Sequence, residues 1–185
     1  MPAPTHNVFI IGPMGAGKTT IGRRVADALG FDFIDTDEAL ENRTGAEVAL
    51  IFDIEGEEGF RRREHTMLAE VAERDGVVVA TGGGSVIRPE NRSILRARGT
   101  VVYLHASVEQ QLRRLRRDKR RPLLQHGDRR QRLERINRER EPLYRDLADV
   151  VVNSGGGIGR MTRRVLKALE AYREQRSDRR PERAD

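Results

Sequence analysis

The run Gly12-Pro13-Met14-Gly15-Ala16-Gly17-Lys18-Thr19 directly follows the apolar stretch Val8-Phe9-Ile10-Ile11 and fits the spacing G-x-x-x-x-G-K-[ST]. That pattern builds a strand-to-helix turn that cradles nucleotide phosphates. Its glycines let successive backbone N–H groups turn inward onto phosphate oxygens, and the helix that follows favours anions at its start. Lys18 adds a point charge near the β- and γ-phosphates, and the Thr19 hydroxyl is a ligand for Mg²⁺. The residues expected to hold the phosphates are Gly15, Ala16, Gly17, Lys18, Thr19 and Thr20. Of the 35 basic residues only Lys18, Lys119 and Lys167 are lysine. A chain that otherwise writes arginine has a compact ammonium where a planar guanidinium would not fit.

A second constellation is Asp35-Thr36-Asp37. In extended backbone two residues two apart share a face, so one can hold Mg²⁺ through water while the other takes the proton of an acceptor hydroxyl, the part a carboxylate plays in phosphoryl transfer. The alternative is that one of them caps a following helix. Thr81-Gly82-Gly83-Gly84 is either a substrate-facing turn or a tight turn for its own sake.

These groups need a scaffold that gathers them. Five apolar runs read as strands, Val8 to Ile11, Phe31 to Ile34, Val77 to Ala80, Val101 to Leu104 and Val150 to Val152, and all but the second are nearly uniformly apolar, as parallel strands covered on both faces are. Helical spacing falls between them at Lys18 to Leu29, Glu47 to Arg74 with a break at Glu55-Gly56, Pro89 to Arg98, Val108 to Asp118, Arg129 to Leu147 and Gly159 to about Tyr172. The alternation predicts an α/β fold, a doubly wound parallel sheet between two helical layers, with ligands outside the carboxyl ends of the strands. The phosphate loop, Asp35 to Asp37 and the glycine triplet all follow strands, so all three face one crevice.

At 185 residues the chain suits one domain, placed at 1–172, with a charged tail over 173–185. There is no cysteine, which excludes thiol catalysis and disulfides, and the four histidines have no ligand spacing. No apolar run approaches the ~20 residues of a membrane span, and the N-terminus lacks a signal-peptide layout, so cytoplasm is expected. The net charge of +6 raises the question of nucleic acid. Yet Arg113 to Arg121 alone holds seven basic residues and one acidic, equal to the whole excess, and no aromatic lies between Ala106 and Leu143 to stack bases. That leaves a phosphate-facing lid, about 112–128, or a solvated helix face.

Further motifs make a family resemblance specific. Glu57, Phe60, Arg61 and Glu64 form E-x-x-F-R-x-x-E, and Arg121-Pro122-Leu123-Leu124 and Arg140-x-Pro142-Leu143-Tyr144 follow downstream. With the phosphate loop, Asp35-x-Asp37 and Gly82-Gly83-Gly84, in this order from Val8 to about Val152, the chain resembles the shikimate kinases. The resemblance implies a phosphate-loop kinase of the nucleoside-monophosphate-kinase-like type with a five-stranded parallel sheet and a lid, using ATP with Mg²⁺, and a monomer. It implies that Arg61 and Arg140 bind the substrate carboxylate, Asp37 takes the reacting hydroxyl, the Gly83 N–H lies against the substrate, and Arg121 closes over ATP. Glu64 is either an ionic partner that orients Arg61 or an exposed helix pair of little consequence. Two rivals remain: a gluconate-type sugar-acid kinase, and a nucleic-acid module that only senses nucleotide. The stretch from Asn153 to Gly157 is where a base would rest, although it offers backbone alone.

Overall fold

A computed structural model describes residues 7–116 and 127–178. Five strands, β1 (Asn7–Ile11), β2 (Asp32–Asp35), β3 (Val77–Ala80), β4 (Gly99–His105) and β5 (Val150–Asn153), form one sheet in the order β2-β3-β1-β4-β5. Every neighbouring pair is parallel. β1 lies in the middle, with Phe9 opposite Val79 on one side and Val101 on the other. The helices are α1 (Lys18–Leu29), α2 (Thr36–Thr44), α3 (Val48–Ala72), α4 (Pro89–Arg98), α5 (Val108–Arg114), α6 (Arg129–Leu147) and α7 (Ile158–Asp178).

Alternation along the strands divides the core into two layers. Phe9, Ile11, Val79, Val101 and Tyr103 face α3, α4 and α6, where Leu68, Leu95 and Tyr144 meet them. Val8, Ile10, Val78, Val102 and Leu104 face α1 and α7, packing on Ile21, Val25, Val165 and Leu169. The sheet is therefore covered on both faces, as the apolar runs predict, except at the β5 edge, where Val151 is exposed. A third, smaller cluster of Met14, Leu115, Leu133 and Ile136 joins the phosphate loop to α5 and α6.

The bounds of α1, α4 and α6 fall where the sequence places them, because each end has its own signal. Gly30 takes a left-handed C-cap, Pro89 opens α4, and the Asp128 carboxylate accepts from the Arg130 and Gln131 amides. The expected break in α3 is a kink at Gly56, with φ 70° and ψ 177°. Three helices depart from the reading, and the first is α5, which ends at Arg114 with Leu115 as its C-cap, short of the expected Asp118. α2, not anticipated as a helix, starts directly after Asp35, so Asp37 sits in a first helical turn rather than on extended backbone. α7 continues past Tyr172 to Asp178, where the Tyr172 hydroxyl donates to Asp149 and the Arg176 guanidinium lies over its ring. Residues 179–185 and most of the expected lid, including Arg121, lie outside the described residues.

Candidate active site

The carboxyl ends of β1, β2 and β3 bring three loops together. In the first, Gly15 and Gly17 have φ of 77° and 92°, a left-handed backbone open to glycine that turns successive amides toward one centre. Gly17 precedes α1 and no side chain caps that helix, which leaves its first amides for an anion. The Lys18 Nζ donates to the Gly12 and Pro13 carbonyls at 2.9 Å each, so the side chain curls back along the loop. The Ala16 amide donates to Pro13 O at 3.2 Å and closes the turn from within. Thr20 lies exposed on the first turn of α1.

In the second loop one of the Asp pair does cap a helix. Asp35 is the N-cap of α2: its Oδ1 accepts from the amides of Asp37 at 2.9 Å and Glu38 at 3.2 Å. Its other oxygen accepts from the Thr19 hydroxyl at 2.6 Å, so one carboxylate caps and also reaches the phosphate loop. Thr19 and Asp35 thus offer two hard oxygen donors side by side. Among the described residues no group of three or more His, Asp or Glu side chains that could hold a metal ion occurs.

The third loop, the glycine triplet, is where everything else converges. A Cβ on Gly82 would lie 2.6 Å from Glu64 Oε1 and 3.0 Å from Asp37 Oδ1. One on Gly83 would lie 3.5 Å from Gly12 O and from Met14 N and 3.6 Å from an Arg140 guanidinium nitrogen, and one on Gly84 would overlap the Arg61 guanidinium outright. At Gly82 and Gly84 the place of a side chain is therefore filled by neighbours, whereas at Gly83 the contacts are of ordinary van der Waals length.

Arg61 is 8% exposed and donates to Glu64 Oε2 at 2.8 Å and Glu57 Oε1 at 3.3 Å. Burial works against its charge, but Glu64 and then Glu57 outweigh it, and its pKa rises above the ordinary arginine value. Glu64 is 2% exposed and also accepts from the Ser85 hydroxyl at 2.7 Å; the exposed-pair alternative is thus excluded. Arg61 keeps its Nε buried without a hydrogen-bond partner. Arg140 and Tyr144, one turn apart on α6, are both buried. The Tyr144 hydroxyl donates to Gly83 O at 2.5 Å, and its ring stacks on Tyr103 with centroids 5.1 Å apart. Burial pushes the Tyr144 pKa up to about 12, against the pull of the Arg140 and Arg61 cations.

Residues without a motif complete the frame. Arg114 donates to Gly15 O at 2.8 Å and to the Ser154 hydroxyl at 2.5 Å, and Gln110 reaches Ser154 O. The stretch from Asn153 to Gly157 is therefore tied to the phosphate loop through side chains. Burial, with Arg113 beside it, lowers the Arg114 pKa. Gln111 is fully buried and touches both Met14 and Asn137. The sequence holds one cue for it, an amide at a position of α5 flanked by Val108, Leu112 and Leu115.

A phosphate-binding loop, an acidic pair and two buried arginines at the carboxyl edge of a parallel sheet define an ATP-dependent phosphate-loop kinase for a small anionic acceptor. The shikimate kinase family model matches residues 14–170. The chain belongs to the shikimate kinase family. It is 56% identical to the shikimate kinase of Halorhodospira halophila over 164 residues, 88% of this chain and 93% of that one. With that of Vibrio cholerae it shares 49% over 171 residues, covering 92% and 98%. A solved shikimate kinase from Acinetobacter baumannii in complex with shikimate superposes with a TM-score of 0.87 at 44% identity, covering 90% of this chain and 93% of that one. A gluconokinase from Sinorhizobium meliloti, at 17% identity and a TM-score of 0.62, shares the fold.

Proposed function

We propose that the chain transfers the γ-phosphoryl group of ATP to the 3-hydroxyl of shikimate, giving shikimate 3-phosphate and ADP. The observation that carries this reading is the convergence on Gly82-Gly83-Gly84 of the Asp37 carboxylate, the Arg61 and Arg140 guanidinium groups and the phosphate-loop backbone. Shikimate has a carboxylate at one end and hydroxyls at the other, and this convergence offers cations for the first and a proton acceptor for the second.

Arg61 and Arg140 hold the carboxylate, and the Gly83 N–H lies against the ring. Asp37 accepts the proton of the 3-hydroxyl as that oxygen bonds to the γ-phosphorus and the bond from the γ-phosphorus to the bridging oxygen breaks, leaving ADP. The amides of Gly15 and Gly17, with Ala16 and Thr20, hold the phosphates, and Lys18 neutralises charge at the β- and γ-positions. Thr19 and Asp35 would hold Mg²⁺, which would supply positive charge to offset that of the phosphates. By the family pattern Arg121, outside the described residues, covers the transferring group and excludes water. The reading takes a monomer as the working unit, in the cytoplasm, with no nucleic acid or membrane as partner.

The test is ADP release from ATP and Mg²⁺ with shikimate, with gluconate and with no acceptor. Release dependent on shikimate is expected. Release dependent on gluconate, or indifferent to acceptor, would overturn the assignment.

A further inference from the structure

The β2–β3 ladder ends with Asp35 opposite Ala80, and the chain turns from there into α2. Past that point a side chain takes over from the main chain. Thr36, 2% exposed, donates its hydroxyl to Ala80 O at 3.4 Å and accepts from the Gly82 amide at 3.2 Å. A hydroxyl gives one proton and takes another, so a single oxygen answers both a carbonyl and an amide at the end of β3. Valine has nearly the same shape and can do neither.

Two parts of the site meet at this clamp. Thr36 lies between Asp35, whose carboxylate reaches Thr19 of the phosphate loop, and Asp37, whose Oδ1 would lie 3.0 Å from a Cβ on Gly82. Gly82 opens the triplet whose second member lies against the Arg140 guanidinium and whose third lies against that of Arg61. The amide held by Thr36 thus belongs to the loop proposed to carry the acceptor, and the turn that holds it bears the proposed proton acceptor. One hydroxyl sets the interval between the two. A general base works only within hydrogen-bond reach of its proton, and a displacement of about 1 Å costs about 10²-fold in rate.

We propose that Thr36 is a positioning residue for the transfer step: its hydroxyl fixes the Asp37 carboxylate against the glycine triplet and so against the acceptor hydroxyl. It touches neither substrate. The proposal rests on the function given above, in which Asp37 takes the acceptor proton. Because Thr36 acts through Asp37, the two effects do not add: once residue 37 cannot take a proton, its exact place no longer matters to the rate.

The experiment is a double-mutant cycle on the whole protein. It measures kcat and both KM values for the unmodified chain, Thr36→Val, Asp37→Asn and the two combined, with Thr36→Ser as the conservative variant. Thr36→Val should lower kcat by about 10–100-fold with the KM for ATP unchanged, and Thr36→Ser should recover most of that loss. In the Asp37→Asn background the same Thr36→Val change should cost less than about 2-fold further. A full additional loss in that background, or a loss that Thr36→Ser does not recover, overturns the proposal. So does Thr36→Val with ordinary kcat and only a lower unfolding temperature, the mark of a structural tie. Thr36→Ala replaces Thr36→Val in the cycle if the latter does not fold, and failure of both to fold overturns the proposal as well. An unmodified protein that releases no ADP in response to shikimate overturns the functional reading itself, before any variant is compared.

Discussion

Thr19 and Asp35 meet at 2.6 Å, hydroxyl to carboxylate, and join the first turn of α1 to the N-cap of α2. The other Asp35 oxygen is occupied by the amides that open α2. The proposed Mg²⁺ ligand and a helix cap thus share one side chain, and they can be separated by mutation. Asn is as good an N-cap as Asp, so Asp35→Asn should unfold within about 0.5 kcal/mol of the unmodified protein while needing markedly more Mg²⁺ for half-maximal turnover. Asp35→Ala should lose about 1 kcal/mol in addition. Thermal unfolding and a Mg²⁺ titration of kcat check both; an unchanged Mg²⁺ requirement in Asp35→Asn would remove the residue from the metal site.

Asp37 lies in the first turn of α2, its Oδ1 against Gly82. Removing its ability to take a proton should cost the step it serves and leave the phosphate loop intact. Asp37→Asn should lower kcat by about 10²–10⁴-fold, the range for general-base loss, with ATP affinity unchanged. Near-normal turnover would place the proton acceptor elsewhere.

Arg61 and Arg140 serve one expected task in different surroundings, and only one of them gives a clean mutant. Arg61→Ala strands the buried Glu64 carboxylate, a loss of about 3–5 kcal/mol in stability, so weak binding in that variant is confounded with unfolding. Arg140→Ala should weaken shikimate binding by about 10–150-fold, the value of about 1.5–3 kcal/mol for hydrogen bonds to a charged group, with little change for ATP. Equal losses for the two ligands, read by titration, would move the carboxylate subsite away from α6.

How far this site could be read from residues alone depended on whether a role is local. The phosphate loop and the bounds of α1, α4 and α6 are each written in a few consecutive residues, and the structure places those helix bounds as read. α2 is hidden because Thr36–Thr44 has only Ala39 and Leu40 as apolar residues, too few for a stripe, and an Asp before it reads equally as a cap or as a group for chemistry. Glu64 could not be told from a surface pair until Ser85, 21 residues away, was seen to share it. Gln111 reaches Met14 across 97 residues, a distance over which no spacing rule speaks.

Gly84 offers a steric test of the acceptor subsite. Its Cβ position is filled by the Arg61 guanidinium, so Gly84→Ala must push that group from its place beside Glu64. Overpacking of this kind destabilises by about 1–3 kcal/mol, and the KM for shikimate should rise while the KM for ATP holds. Steady-state kinetics in both substrates decides it, and a variant with an unchanged shikimate KM would show that Arg61 does not bind the acceptor.

Tyr144 links the glycine triplet to pH. Its hydroxyl must stay protonated to donate to Gly83 O, and burial holds its pKa at about 12 against about 10 in an unfolded chain. Between these values the folded state keeps a proton that the unfolded state releases. The stabilisation is therefore complete below about pH 10 and is lost as pH rises toward the folded value. Tyr144→Phe should flatten part of the alkaline fall in stability; Tyr103 and Tyr172, whose pKa values burial also raises, act in the same direction. Because Phe cannot hold Gly83 O, the variant should also lose acceptor affinity near neutral pH, where no tyrosine titrates. Denaturant unfolding from pH 8 to 12 and the shikimate KM at neutral pH read the two effects separately. A variant with an unchanged alkaline slope would mean that Tyr144 ionises as readily folded as unfolded, and one with an unchanged KM that Gly83 keeps its place without it.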